Sequence, residues 1–183
     1  IDINVGAGRY FGGTPPFPYV PGCEGVGRVV EAESLAPGTL VWANGGGMGL
    51  RRDGALADLF AVSEDVPVPL PEGTDPVLAG TLGIAGLAGW LPVAYRSPVR
   101  EGETVLVLGA TGTVGVVALQ AARILGAGRV VAAGRSPEGL ERARQLGADE
   151  VVSLGEDDLA GAFADACGGD GPTLIVDPLW GAP

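Results

Sequence analysis

The rhythm of hydrophobic and polar positions changes once along the chain, near Arg96 to Gly102. Beyond that point, uncharged aliphatic runs alternate with helix-length segments. Thr104 to Leu108 is an unbroken β-branched and aliphatic run, the pattern of a strand buried on both faces of a parallel sheet. The same reading predicts a helix over Val116 to Leu125, ended by Gly126 and Gly128, and a second strand over Arg129 to Gly134. A helix from Pro137 to Leu146 closed by Gly147, a strand at Glu150 to Leu154, a helix at Asp158 to Ala166 and a strand at Thr173 to Asp177 follow. Alternation of this kind predicts a doubly wound α/β sheet.

The earlier residues read differently. Short β-like runs at Gly27 to Glu31, Thr39 to Ala43 and Leu56 to Val62 are separated by turn clusters at Gly12 to Pro16, Asn44 to Gly47 and Pro67 to Pro71. These features predict an irregular, mostly β module. Two domains are therefore expected, residues 1–98 and 99–183. Between them, Pro76 to Tyr95 carries no charge, which raises the question of a membrane span. Glycines at 80, 83, 86 and 89, with Pro92, argue instead for a buried helix that lets a neighbouring backbone or ligand approach closely.

Chemistry enters where the first buried strand stops. Gly109, Gly112 and Gly115 follow it at intervals of three, and a helical pattern follows them. A strand, a glycine turn and a helix suit a dinucleotide: glycines admit the pyrophosphate, and the first helical N–H groups face its charge. Gly109, Ala110, Thr111, Gly112, Thr113, Val114 and Gly115 are thus the candidate cofactor-binding residues, although the first spacing is G-x-x-G rather than G-x-G. At the end of the second strand, where a carboxylate would accept from the ribose of NAD, stand Gly134, Arg135 and Ser136. A guanidinium with no nearby acid favours a 2′-phosphate, so the predicted cofactor is NADP(H). Two plainer readings stay open: Arg135 as a solvated strand-end residue, and Ser136 as a cap for the helix that starts at Pro137.

Composition narrows the function classes. The 183 residues hold 22 acidic and 11 basic side chains, all of the latter Arg, for a net charge of -11. That disfavours a nucleic-acid partner. His and Lys are absent, which excludes within these residues a Ser-His-Asp triad, a histidine zinc site, a Schiff-base lysine and a P-loop lysine. Cys23 and Cys167 stand far apart, as expected in a reducing, cytoplasmic setting. No secretory signal is visible, and the chain opens without Met and closes just after a strand-like run, so it reads as cut at both ends.

Four ordered signatures carry a resemblance across nearly the whole chain: Pro21-Gly22-Cys23-Glu24-Gly25-Val26-Gly27, Gly54-Ala55-Leu56-Ala57-Asp58, the Gly109 to Gly115 turn, and Leu146-Gly147-Ala148-Asp149. In this order they resemble the medium-chain dehydrogenase/reductases, above all the zinc-independent quinone oxidoreductase-like and enoyl reductase-like branch. The resemblance implies a GroES-like mostly-β domain followed by a Rossmann domain, with NADPH and a small-molecule substrate in the cleft between them. It also implies that the family's opening strands, its later Rossmann strands and its closing segment are not in this chain, and that the full protein is a homodimer.

The same likeness bears on catalysis. Zinc-dependent members carry His where this chain has Cys23, which reads here as a small buried residue, so no metal is expected. The implied reaction is hydride transfer from NADPH to a quinone or an activated C=C bond. Alternatives are a non-catalytic NADPH-binding sensor or structural protein, and the enoyl reductase module of a larger synthase. Tyr10 follows Asp2 as a substrate-pocket tyrosine does in the quinone oxidoreductase-like group, which makes it the candidate hydroxyl donor. It reads equally as a residue closing the turn before Gly12. Asp177, before Pro178, reads as the start of a turn. Gly139 stands where relatives often carry a phosphate-binding Lys.

Overall fold

The computed structural model describes residues 1–13 and 15–181, so Thr14 of the predicted 12–16 turn lies outside the described residues. The chain divides into two compact units, Ile1–Ile84 and Ala85–Pro183. This division precedes the change of rhythm at Arg96 because the segment just before that change packs within the second unit.

In the first unit, a short helix α1 (Asp2–Gly6) precedes strands β1 (Glu24–Arg28), β2 (Leu40–Asn44) and β3 (Pro67–Pro69). The strands form an antiparallel sheet in the order β1-β2-β3, pairing Val26 with Trp42 and Trp42 with Val68. Two sequence expectations are corrected here. Leu56 to Val62 is not a strand, and Leu56 and Leu59 are largely exposed. Its leading residues are drawn to another backbone, with Ala55 N–H donating to Gly22 O and Leu56 N–H to Pro21 O, both at 3.0 Å. The third strand is Pro67–Pro69, expected to be a turn. Proline cannot donate to a ladder, and an edge strand tolerates that.

The uncharged 76–95 segment is also not one buried helix. It is broken into α2 (Pro76–Leu82) and α3 (Ile84–Leu91) and ends in a π-helical turn, Pro92–Arg96. Asp75 caps α2, its carboxylate accepting from Val77 N–H at 2.8 Å, with Pro76 in the first helical position. The break falls where Glu24 reaches Gly83. Its Oε2 accepts from Ile84 N–H at 2.8 Å and from the Trp42 indole N–H at 2.9 Å, and a Cβ on Gly83 would lie 1.7 Å from that oxygen. Only glycine fits there. Val77, Leu78, Leu87 and Trp90 are exposed, and no single helix among the described residues is long and apolar enough to cross a membrane.

The second unit follows the predicted alternation closely. Strands β4 (Thr104–Leu108), β5 (Arg129–Gly134), β6 (Glu150–Ser153) and β7 (Leu174–Val176) alternate with helices α4 (Thr113–Ile124), α5 (Pro137–Gln145) and α6 (Leu159–Ala166). All pairings are parallel, in the order β6-β5-β4-β7. Period-two geometry explains why the strands lack polar alternation. Val105, Val107, Val130 and Ala132 pack with α4 and α5 residues on one face, while Leu106, Val131, Ala133 and Val152 pack with α6 residues on the other. From β4 the chain winds outward to β6, then returns to place β7 on β4's other side. The end of β4 is therefore a topological switch point, where open α/β sheets accept ligands.

Candidate functional site

At that switch point the three glycines do different things. Gly109 has φ +61°, a left-handed conformation that L side chains rarely adopt, and a Cβ there would lie 2.8 Å from Leu179 Cδ2. Gly115 sits in the first turn of α4, and a Cβ on it would lie 2.3 Å from Gly109 O and 2.6 Å from Ala110 Cα. It lets the helix close against the strand end. Gly112, the extended N-cap residue of α4, has open space instead: outside its two chain neighbours, a Cβ there would meet nothing nearer than Gly109 O at 3.5 Å.

Two backbone hydrogen bonds fix the turn. Ala110 N–H donates to Ala133 O at 2.9 Å, tying it to β5, and Gly112 N–H donates to Gly109 O at 3.0 Å. No side chain caps α4. Its first-turn N–H groups, at Thr113, Val114 and Gly115, are thus free to face an anion, with the helix dipole adding to their pull. An acceptor approaching over Gly112 meets no side chain at that residue.

Thr111 links this turn to the second group of candidates. Gly134 ends β5, and a Cβ on it would lie 2.7 Å from Thr111 Cγ2; a Cβ on Gly139, in the first turn of α5, would also lie 2.7 Å from that methyl. Arg135 and Ser136 are exposed between these two glycines. Ser136 caps α5, its Oγ accepting from Gly139 N–H at 3.2 Å, so its plainer reading holds. No ion pair engages Arg135 among the described residues. The 109–115 and 134–136 groups are thus brought together at the carboxyl ends of β4 and β5.

Asp149 supports that arrangement from below, a role the sequence did not announce. Its Oδ2 accepts from Val130 N–H at 2.7 Å and from the Arg123 guanidinium, which also donates to Gly147 O at 2.8 Å. The Leu-Gly-Ala-Asp signature thus anchors the start of β5 to the end of α4. Asp177 makes the expected turn, its Oδ1 accepting from Leu179 N–H at 2.9 Å and Trp180 N–H at 3.1 Å. That turn sets Leu179 over Gly109.

Tyr10 belongs to the first unit, and its immediate surroundings are local. Its carbonyl accepts from Gly13 N–H at 3.1 Å, its ring lies against Gly12, and its centroid is 4.5 Å from that of Phe11. These contacts are those of a residue closing the turn. A groove of about 630 Å³ in this unit, lined by Arg28, Asp58, Phe60 and Glu64 among others, includes none of the candidate residues.

Cys23 is 2% exposed, and its neighbours explain its chemistry. Burial, followed by a hydrogen bond to Asp2 and that carboxylate's charge, pushes the thiol up to about 11. It is therefore a neutral thiol near neutral pH, whereas zinc and nucleophilic chemistry need the thiolate. Burial alone would raise Asp2, yet the Cys23 thiol and the backbone N–H groups of Gly22 and Cys23, each 2.9 Å from Oδ1, hold it below the ordinary carboxylate value. No group of three or more Cys, Asp or Glu side chains suited to a metal occurs among the described residues.

Asp2 is accordingly an anchor for the Pro21 to Glu24 segment. Asp2→Ala strands two partly buried N–H groups and should cost about 2 kcal/mol near neutral pH, with Asp2→Asn costing about half as much. Because the folded pKa is depressed, the carboxylate's contribution is full above its unfolded value of 3.8 and fades as pH falls through the folded one. Urea unfolding should therefore show the Ala defect shrinking between neutral pH and about pH 3. A defect independent of pH would assign the anchor to packing alone.

Comparisons with known proteins agree with this geometry. Residues 113–181 match the zinc-binding dehydrogenase family. A quinone oxidoreductase of Pseudomonas aeruginosa is 30% identical over 98% of this chain and 55% of its own length. Among solved structures, a probable oxidoreductase from Mycobacterium abscessus superposes with a TM-score of 0.84 at 34% identity, covering 98% of this chain and 56% of that one. The quinone oxidoreductase of Thermus thermophilus, also solved in complex with NADPH, gives a TM-score of 0.74 at 32% identity, covering 98% and 54%. The chain thus spans about half the length of the relatives it matches.

Proposed function

Because this chain belongs to the medium-chain dehydrogenase/reductases, in their quinone oxidoreductase-like branch, we propose that it forms the NADPH site of an oxidoreductase. Its substrate is a quinone or an activated C=C compound, and its chemistry needs no zinc. The observation that carries this reading is the uncapped start of α4 behind Gly112, where an N-terminal helix turn lies open at the switch point of the sheet. Support for NADPH over NADH comes from Arg135, an exposed guanidinium at the end of β5 with no acidic partner among the described residues.

When bound, the cofactor supplies a hydride to the electrophilic carbon of the acceptor, whose electron pair moves onto its oxygen and takes a proton from solvent. The chain's own part is to bind and to orient. Gly112 lets the pyrophosphate close on the Thr113 to Gly115 N–H groups, and Arg135 with Ser136 faces the 2′-phosphate. The absence of zinc is supported by the donor set, since Cys23 is held as a neutral thiol beside Asp2 and His is lacking. Positioning the two reactants then accounts for most of the rate.

The test is to follow NADPH absorbance with a panel of quinones, enones and enoyl thioesters. Consumption with any of them, unaffected by chelators, supports the proposal. Tight NADPH binding with no consumption by any acceptor would leave a nucleotide-binding protein without this activity. Tyr10→Phe gives a finer check: as the hydroxyl donor to the developing oxyanion, Tyr10 should be worth about tenfold or more in kcat with NADPH affinity unchanged. Equal kcat in the variant would remove Tyr10 from the site and leave it as a turn residue.

A further inference from the structure

Thr111 makes contacts that a phosphate-turn residue does not need. Its side chain reaches into the notch between Gly134 and Gly139, where the end of β5 meets the start of α5. The methyl carbon fills that notch: Cγ2 would lie 2.7 Å from a Cβ on either glycine, whereas Oγ1 would lie 3.3 Å from one on Gly134. Arg135 and Ser136 form the short connection across the notch. No ion pair holds the Arg135 side chain among the described residues, so the path of this connection determines where its guanidinium stands.

We infer that Thr111 is a positioning residue for cofactor selectivity: its methyl wedges β5 and α5 apart and so sets where Arg135 and Ser136 meet the 2′ substituent of the adenosine ribose. This rests on the proposed reading that NADPH binds at the turn. Packed interiors transmit the loss of a single methyl, and a shift of about 1 Å in a charged donor is enough to change recognition. The wedge acts through shape, since the hydroxyl is the less closely packed branch. Val keeps both branches as methyls; Ser removes the one that matters.

Two observations on the glycines strengthen the assignment. Neither Gly134 nor Gly139 has a left-handed backbone that would demand glycine. What excludes a side chain at both is Thr111: its methyl lies 2.7 Å from either added Cβ, joined at Gly139 by its own Cβ at 2.8 Å. At Gly134 the nearest atom outside Thr111 is Leu140 Cδ2, at 3.4 Å from the added Cβ, which is ordinary contact. Removing the Thr111 methyl should therefore make room for alanine at 134, so the Thr111→Ala/Gly134→Ala pair moves the wedge from one side of the notch to the other.

The experiment measures dissociation constants for NADPH and NADH, by tryptophan quenching, for the wild type, Thr111→Val, Thr111→Ser, Gly134→Ala and the Thr111→Ala/Gly134→Ala pair. Thr111→Val should keep the wild-type preference for NADPH within about twofold, while Thr111→Ser should lower it about tenfold with NADH binding little changed. Gly134→Ala alone should lower it as well, and the double variant should restore most of it. If Thr111→Ser keeps the full preference, or if Ser and Val variants weaken both nucleotides equally, the inference is overturned and Thr111 is a phosphate-turn residue only. A wild type that binds neither nucleotide overturns the underlying reading together with it.

Discussion

Gly115→Ala should abolish nucleotide binding and destabilise the second unit, although alanine is the better helix former. Inside an ordinary helix the exchange gains about 1 kcal/mol. Here the new methyl would sit 2.3 Å from Gly109 O and 2.6 Å from Ala110 Cα, and both obstacles are backbone. Overpacking of this kind costs about 1 to 3 kcal/mol even where side chains can move, so the clash outweighs the propensity gain. Helix and strand end must separate, which opens the turn. Gly112→Ala is the paired control. Its Cβ has room, 3.5 Å from the nearest atom outside its chain neighbours, but occupies the face over which a pyrophosphate would approach. It should keep the wild-type unfolding midpoint while weakening NADPH by about tenfold or more. Denaturant melts and binding isotherms for the two variants together check this. Were Gly112→Ala to bind NADPH normally, the open face would not be where the phosphates lie.

Arg135→Ala is expected to weaken NADPH about ten- to a hundredfold and NADH by less than twofold, since a charge-assisted hydrogen bond to phosphate is worth about 1.5 to 3 kcal/mol. The lower end of that range is the safer expectation, because the side chain is exposed and water screens it. Salt offers a second readout. The difference between the two nucleotides should narrow as ionic strength rises in the wild type and stay flat in the variant. Equal losses for both nucleotides would return Arg135 to its plainer role as a solvated strand-end residue.

The sequence was most legible where burial was most complete. Thr104–Leu108 and Arg129–Gly134 stand residue for residue as read, because a strand covered on both faces has no polar positions to blur its ends. Helix α5 was equally clear, with Ser136 before it and Gly147, at φ +110°, beyond it. Helix α4 starts earlier than its apolar pattern suggested, because Gly112 rather than Val116 opens it. The mostly β unit was harder. Leu56 to Val62 alternates plausibly, yet its leading backbone groups go to Pro21 and Gly22, a pairing that depends on Gly54 and Gly22 approaching where no side chain fits.

The uncharged 76–95 segment illustrates a further limit. Its glycines did signal close approach, and two of them behave so: Gly83 against Glu24, and Gly89, whose added Cβ would lie 2.5 Å from Val114 O. What the periodicity could not show is that Glu24 would take the Ile84 N–H at the break between α2 and α3. Likewise, the roles of Asp2, and of Asp149 within its signature, are not evident until their backbone partners are seen. A single carboxylate that accepts two N–H groups distant in sequence leaves no trace in local patterning.

The most direct check on the central claim, that a phosphorylated nicotinamide nucleotide binds at the uncapped start of α4, is the melting temperature with and without saturating nucleotide. Ligand at a hundred times its dissociation constant stabilises the folded state by about 2.7 kcal/mol, so NADPH should raise the midpoint by roughly 5 to 10 °C, with a smaller rise for NADH at the same concentration. No rise with either nucleotide at millimolar concentration would contradict the account.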